Sequence, residues 1–185
     1  MDYIGFAIII LLAVWLVSTY NTLIAKKNRV LNADSSIDVM LKQRYDLIPQ
    51  IVETVKVHID HEQSTLLELT ELRTQALSCN TKDQEMVDIE SRVSKVLPTI
   101  NMLSESYPDL KSSDAFLALQ RSLNETEAQL SAARRTYNAA VTDLNNAIEM
   151  VPSNIMAKFM GLSVRALFDV PVHETERPNI SEGLR

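Results

Sequence analysis

His58-Ile59-Asp60-His61-Glu62 is the densest group of reactive side chains in the sequence. Two histidines three apart share one face of a helix, with a carboxylate beside them, a spacing that zinc sites use. Such a site needs a third and usually a fourth ligand, and the remaining histidine, His173, lies far away in a polar C-terminal stretch. The order H-x-x-H-E also departs from the H-E-x-x-H of zinc proteases. The pair therefore reads as a polar helix face, and no metal or other cofactor is expected. Cys79 lies 18 residues beyond His61, ~27 Å along a continuous helix, too far for a thiol and its base. The glycines are Gly5, Gly161 and Gly183, so the long stretch between the first two holds no P-loop, no G-x-G-x-x-G turn and no G-x-S-x-G elbow. No catalytic residue is assigned, and an enzyme is not expected.

Charges in unusual positions are more informative. Arg44 and Glu62 fall where the apolar pattern described below places a helix seam, and a charge at a seam is costly unless paired. A structural ion pair is the plain expectation for both; a role in fixing register or meeting a partner is the alternative. Arg134 and Arg135 are adjacent in a long helical segment, so at least one must lie off the seam and be available for interaction. Lys158 and Arg165 are seven apart in 153–168, which reads as a short basic amphipathic helix. It would cover the end of the bundle or lie on anionic lipid or a partner.

The elements that carry these residues begin with a membrane span. Residues 3–25 contain no charged side chain. As a helix they would be ~34 Å long, against ~30 Å of hydrocarbon in a bilayer. Tyr3 at one end and Trp15 and Tyr20 towards the other suit interfacial aromatic belts. Lys26, Lys27 and Arg29 follow at once, whereas the chain opens Met1-Asp2, unlike the basic start of a cleavable signal peptide. Cations are retained on the cytoplasmic side, so the N-terminus is expected outside and the bulk of the chain in the cytoplasm.

Beyond the span the sequence is written in heptads. Apolar or seam positions run Ile37, Leu41, Arg44, Ile48, Ile51, Val55, Ile59, Glu62, Leu66, Leu69 and Leu72. A second series runs from Met86 to Tyr107 and a third from Phe116 through Leu123, Leu130, Val141 and Leu144 to Val151. Steps alternating between three and four residues specify helices packed in a left-handed bundle, and nothing alternates with period two. Ser78-Cys79-Asn80 ends the first segment, and Thr81 with Gln84 forms a capping box for the second. Tyr107-Pro108-Asp109-Leu110 ends the second, Ser112-Ser113-Asp114 offers caps for the third, and Pro152 stops it. Pro49 and Pro98 sit inside running heptads and are expected to kink or restart their helices, displacing Ile48 and Leu97 from helical geometry. The expected fold is all-α: a transmembrane helix over 1–25, then an elongated antiparallel, up-down bundle of three to four long helices over 26–168. Residues 169–185 are expected to be a disordered tail.

The charge balance is 18 Lys and Arg against 24 Asp and Glu, interspersed and without a basic stripe, so nucleic acid is not an expected partner. The single cysteine permits no internal disulfide, in keeping with a reducing compartment.

Several strings in series resemble the LemA family of bacterial membrane proteins. They are Tyr20-Asn21 with Leu23; Arg44-Tyr45-Asp46-Leu47-Ile48-Pro49; Val52-Glu53-Thr54-Val55-Lys56; and His61-Glu62. After them come Tyr107-Pro108-Asp109-Leu110-Lys111, Phe116, Leu119-Gln120 and Thr126-Glu127, then Ala133-Arg134-Arg135-Thr136-Tyr137-Asn138, Val141, Asn145 and Pro152-Ser153-Asn154. The resemblance covers about residues 1–162. It implies a single-pass, mainly cytoplasmic four-helix fold without an established reaction. It also implies an association with membrane stress, membrane proteases and, in some relatives, magnetosome formation. Val57-His58 stands where the family usually has Gly-Tyr, Leu144 replaces a Tyr, Val151 replaces a Phe, and Pro98 has no usual counterpart.

Span, bundle and resemblance together predict a non-enzymatic, membrane-anchored scaffold that self-associates at the bacterial inner membrane, in membrane organisation or envelope stress. The partners expected are lipid, further copies of the chain and a membrane protein. The alternative is an adaptor or regulatory subunit of a membrane complex such as a quality-control protease.

Overall fold

One helix, α1 (Asp2–Lys56), carries the uncharged run into the first heptads without a break. It is followed in the computed structural model by α2 (Gln63–Ser78), α3 (Gln84–Ser106), α4 (Pro108–Lys111), α5 (Asp114–Glu149) and α6 (Ser153–Phe159). The residues described are 2–59, 63–79 and 84–168, and no strand occurs among them. The fold is all-α, as the periodicity requires. Glu62, His61, the Thr81 cap and the 169–185 tail lie outside the described residues.

The chain divides into two units, Met1–Asp34 with Arg134–Arg185, and Ser35–Ala133. In the second unit the heptad seams form the core. Ile37, Leu41, Ile48, Ile51 and Val55 of α1, Leu66, Leu69 and Leu72 of α2, Met86, Ile89, Val93 and Ile100 of α3, and Phe116, Leu123 and Leu130 of α5 are all buried. Within this unit α1 and α5 run in opposite directions, because Arg44 meets Glu127 while Ile51 lines a small pocket with Leu119 and Leu123. Tyr107-Pro108-Asp109-Leu110-Lys111 ends α3 and makes α4, with Pro108 opening the turn and Leu110 fully buried. Ser113 then caps α5, its Oγ accepting from the Phe116 amide at 3.5 Å.

In the first unit Val30 packs with Val141 and Leu144, and Tyr137, Ala140 and Ile148 close around them. Helix α6 ends in a Schellman motif: the Leu162 amide donates to the Ala157 carbonyl at 3.0 Å and the Gly161 amide to the Lys158 carbonyl at 3.2 Å. Gly161 has φ +64°, the left-handed geometry that this cap needs and that glycine adopts without a Cβ penalty. Residues 162–168 continue without helical structure.

Four sequence expectations are corrected. The first segment is not one helix to Ser78, because α1 stops at Lys56. The heptad count hides this break, since Val55, Ile59 and Leu66 are buried on both sides of it. The prolines restart nothing: α1 continues through Pro49 and α3 through Pro98, with Ile48 and Leu97 helical and buried. Val151 is exposed rather than on the seam, because α5 ends two residues before it. Finally, 153–168 is not a single helix, since Gly161 stops it. Lys158 and Arg165 therefore do not share a helical face.

Candidate functional site

The seam charge on α1 finds its partners on α3 and α5. Arg44 is 1% exposed. Its Nη1 donates to Glu90 Oε2 at 3.0 Å and its Nη2 to Ser94 Oγ at 3.2 Å. Nε lies 3.3 Å from Glu127 Oε2, an ion contact whose angle leaves Nε without an aligned hydrogen bond. The second oxygen of Glu90 accepts from the Tyr45 hydroxyl. Glu90 and Ser94 are four apart and therefore face the same way from α3. One guanidinium thus ties α1 to α3 and α5. The cluster is buried and internally paired, which gives it a structural rather than a catalytic character.

Pro49, the last residue of the Arg44–Pro49 string, explains a further contact. A proline has no amide hydrogen, so the carbonyl four residues earlier, that of Tyr45, loses its helical donor. Arg73 of α2 supplies the replacement, with Nε donating to the Tyr45 carbonyl at 3.1 Å. The orphan acceptor is satisfied and α1 continues. The same bond holds α2 alongside α1 on its return from the 57–62 connection. On the surface Arg92 pairs with Glu68 at 2.9 Å, an exposed contact expected to contribute ~1 kcal/mol at most.

A second constellation lies in the other unit. Asn138 and Asn145 are two turns apart on α5 and share a face. The Asn145 amide donates to the Arg165 carbonyl at 2.9 Å while its oxygen accepts the Arg165 amide at 3.0 Å. Asn138 does the same for Phe168, at 3.0 and 2.9 Å. Seven helical residues rise ~10 Å, which three extended residues also span, so the two clamps match 165 and 168 in register. The Phe168 ring meets Tyr137 edge-on at 4.9 Å and 71°. The two asparagines of α5 thus bind main chain, and Tyr137 adds one side-chain contact.

The other sequence-assigned residues are scattered. Tyr3, Trp15 and Tyr20 are exposed on α1, and every side chain from Tyr3 to Ser18 is exposed. A helix this long and apolar is able to cross a membrane, which fits membrane anchoring. Lys26 and Lys27 are half-buried and Arg29 is exposed. On α5 Arg134 is half-buried and Arg135 exposed; both make interactions within the protein. Lys158 is exposed on α6 and Arg165 is half-buried in the clamped segment. His58 lies in the turn after α1, with its Nδ1 3.0 Å from the Thr54 carbonyl. Val57, in the turn after Lys56, has no positive φ, so glycine is not required there.

Sequence reasoning missed Glu90, Ser94, Arg73 and the paired asparagines. A seam arginine demands a buried carboxylate, and a mid-helix proline demands a donor for its orphaned carbonyl, so two of these signals were present.

A sequence model of the LemA family matches residues 33–181. The chain is similar to Protein LemA of Metamycoplasma hominis, at 26% identity over 160 residues that cover 86% of this chain and 72% of that protein. The matched range takes in the Arg44 cluster, the Pro49–Arg73 contact and both clamping asparagines, and this chain belongs to the LemA family.

Proposed function

We propose that this protein is a non-enzymatic, membrane-anchored scaffold that self-associates at the bacterial inner membrane, with its bundle in the cytoplasm. The observation that carries this reading is α1 itself. One uninterrupted helix carries both the exposed apolar stretch and the buried seam residues Ile37 and Leu41. Anchors held in one membrane raise the effective concentration of like copies, which favours their lateral packing. Arg135 is exposed on α5 of a chain with net charge −6 and, besides its interaction within the protein, adds positive charge to a surface that acidic groups of a neighbour would approach.

The mass of the detergent-extracted particle tests this. A particle of several chains that shrinks on Arg135→Glu, with helicity and melting unchanged, is the expected result. One chain per micelle in the wild type, or a large particle indifferent to Arg135→Glu, overturns self-association through this face.

The Asn138–Asn145 clamp favours the second reading, an adaptor for a membrane complex. A surface that holds a non-helical segment mainly through its backbone suits a partner's extended segment in the same way.

A further inference from the structure

Helix α6 and the turn before it carry an apolar surface that the bundle does not cover. Val151 is 77% exposed, Ile155 58% and Phe159 86%, with Met150 beside them at 63%. Ile155 and Phe159 are four apart and share a helical face, while Ala157 on the opposite side is buried. A cluster of large apolar side chains at this exposure marks an interaction surface.

Its position identifies what covers it. Val30 of α1 packs against Val141 and Leu144 of α5, and α5 runs opposite to α1. Seven residues along α1, ~10 Å, lead from Val30 to Leu23, and over a similar rise α5 runs from Leu144 to its end at Glu149 and the turn that follows. The turn at Met150–Val151 therefore lies at the level of Leu23, where the uncharged run of α1 ends and Lys26 begins the basic cluster. This is the depth of a bilayer interface if α1 spans the membrane, the reading on which the inference rests. Lys158 beside Phe159 is placed to reach lipid headgroups while the ring goes deeper; Glu149, just before the turn, is an exposed carboxylate.

We propose that Met150, Val151, Ile155 and Phe159 insert into the headgroup–acyl boundary of the membrane that α1 crosses, so that α6 is a second, interfacial contact with lipid. The unit formed by Met1–Asp34 and Arg134–Arg185 then meets lipid at two points, the span and α6.

The test uses the full chain in vesicles of phosphatidylcholine and phosphatidylglycerol bearing quenchers at shallow or deep acyl positions. The wild type has one tryptophan, Trp15, which reports the span. Trp15→Phe with Phe159→Trp moves the reporter to α6, and Trp15→Phe with Ile155→Trp is a second reporter on the same face. The expected result is blue-shifted emission from position 159 or 155, quenched most by shallow lipid quenchers and protected from aqueous acrylamide. Trp15 should be quenched more by deep ones. Emission at 159 and 155 that lipid quenchers leave unchanged, while Trp15 is quenched, overturns the interfacial contact and leaves the span standing; protection from acrylamide in that case assigns the surface to a protein instead. Quenching at neither Trp15 nor the α6 positions overturns both.

Discussion

At the scale of single residues, the interactions around Arg44 are unequal, and burial ranks them. Glu90 is almost as buried as Arg44, whereas the Glu127 carboxylate is 49% exposed and screened by water. Removing one partner of a buried pair strands a charge and costs ~3–5 kcal/mol, while an exposed partner contributes ~0–1 kcal/mol. Glu90→Ala should therefore lower the denaturant midpoint severely and Glu127→Ala barely. Equal losses in chemical unfolding of the two variants would show that the ranking is wrong. Arg73 permits a sharper test. If it serves the carbonyl orphaned by Pro49, Arg73→Ala should cost ~1–3 kcal/mol in the wild type. In a Pro49→Ala background residue 49 regains its amide hydrogen, so the same change should cost far less. A double-mutant cycle measures the difference, and additive effects would dissolve the link between proline and arginine.

Among elements, the segment 162–168 depends on α5 through four hydrogen bonds from two side chains. Asn145→Ala removes two of them, ~1–3 kcal/mol, without touching the Val141–Leu144 seam. The peptide bond after Arg165, whose backbone those two bonds hold, should then be cut by trypsin roughly 5- to 100-fold faster under native conditions. Cutting at the wild-type rate, read by mass spectrometry, would mean that the clamp does not hold the segment. The helices were legible in sequence because buried seams repeat, as Leu66-Leu69-Leu72 and Leu123-Leu130 do. What sequence did not reveal was how helix ends are made. The 57–62 break lacks glycine and proline and keeps its apolar spacing through Ile59, so no local signal marks it. Conversely, Pro49 and Pro98 signal breaks that do not occur. At Pro49 a tertiary partner decides, since the donor that rescues Tyr45 sits 28 residues away. The clamp was hidden for a related reason. Asn138 and Asn145 look like ordinary solvent-facing residues until the segment beyond Gly161 turns back onto them.

For the whole molecule, the proposed topology rests on charge. Translocating Lys26, Lys27 and Arg29 against the retention of cations on the cytoplasmic face is unfavourable. The bundle and everything after it should therefore face the cytoplasm. Cys79 is a poor reporter because it is partly buried. A Cys79→Ser, Ser181→Cys chain places the thiol in the C-terminal stretch instead. A membrane-impermeant maleimide should leave it unlabelled in intact spheroplasts and label it once the membrane is opened. Replacing Lys26, Lys27 and Arg29 by Gln removes the bias, so a fraction of molecules should then become labelled before permeabilisation. Labelling of the unmodified-charge chain in intact spheroplasts would reverse the topology. It would put the bundle outside and leave the basic cluster without the role assigned to it here. Protection in both chains would mean that some other feature sets the orientation.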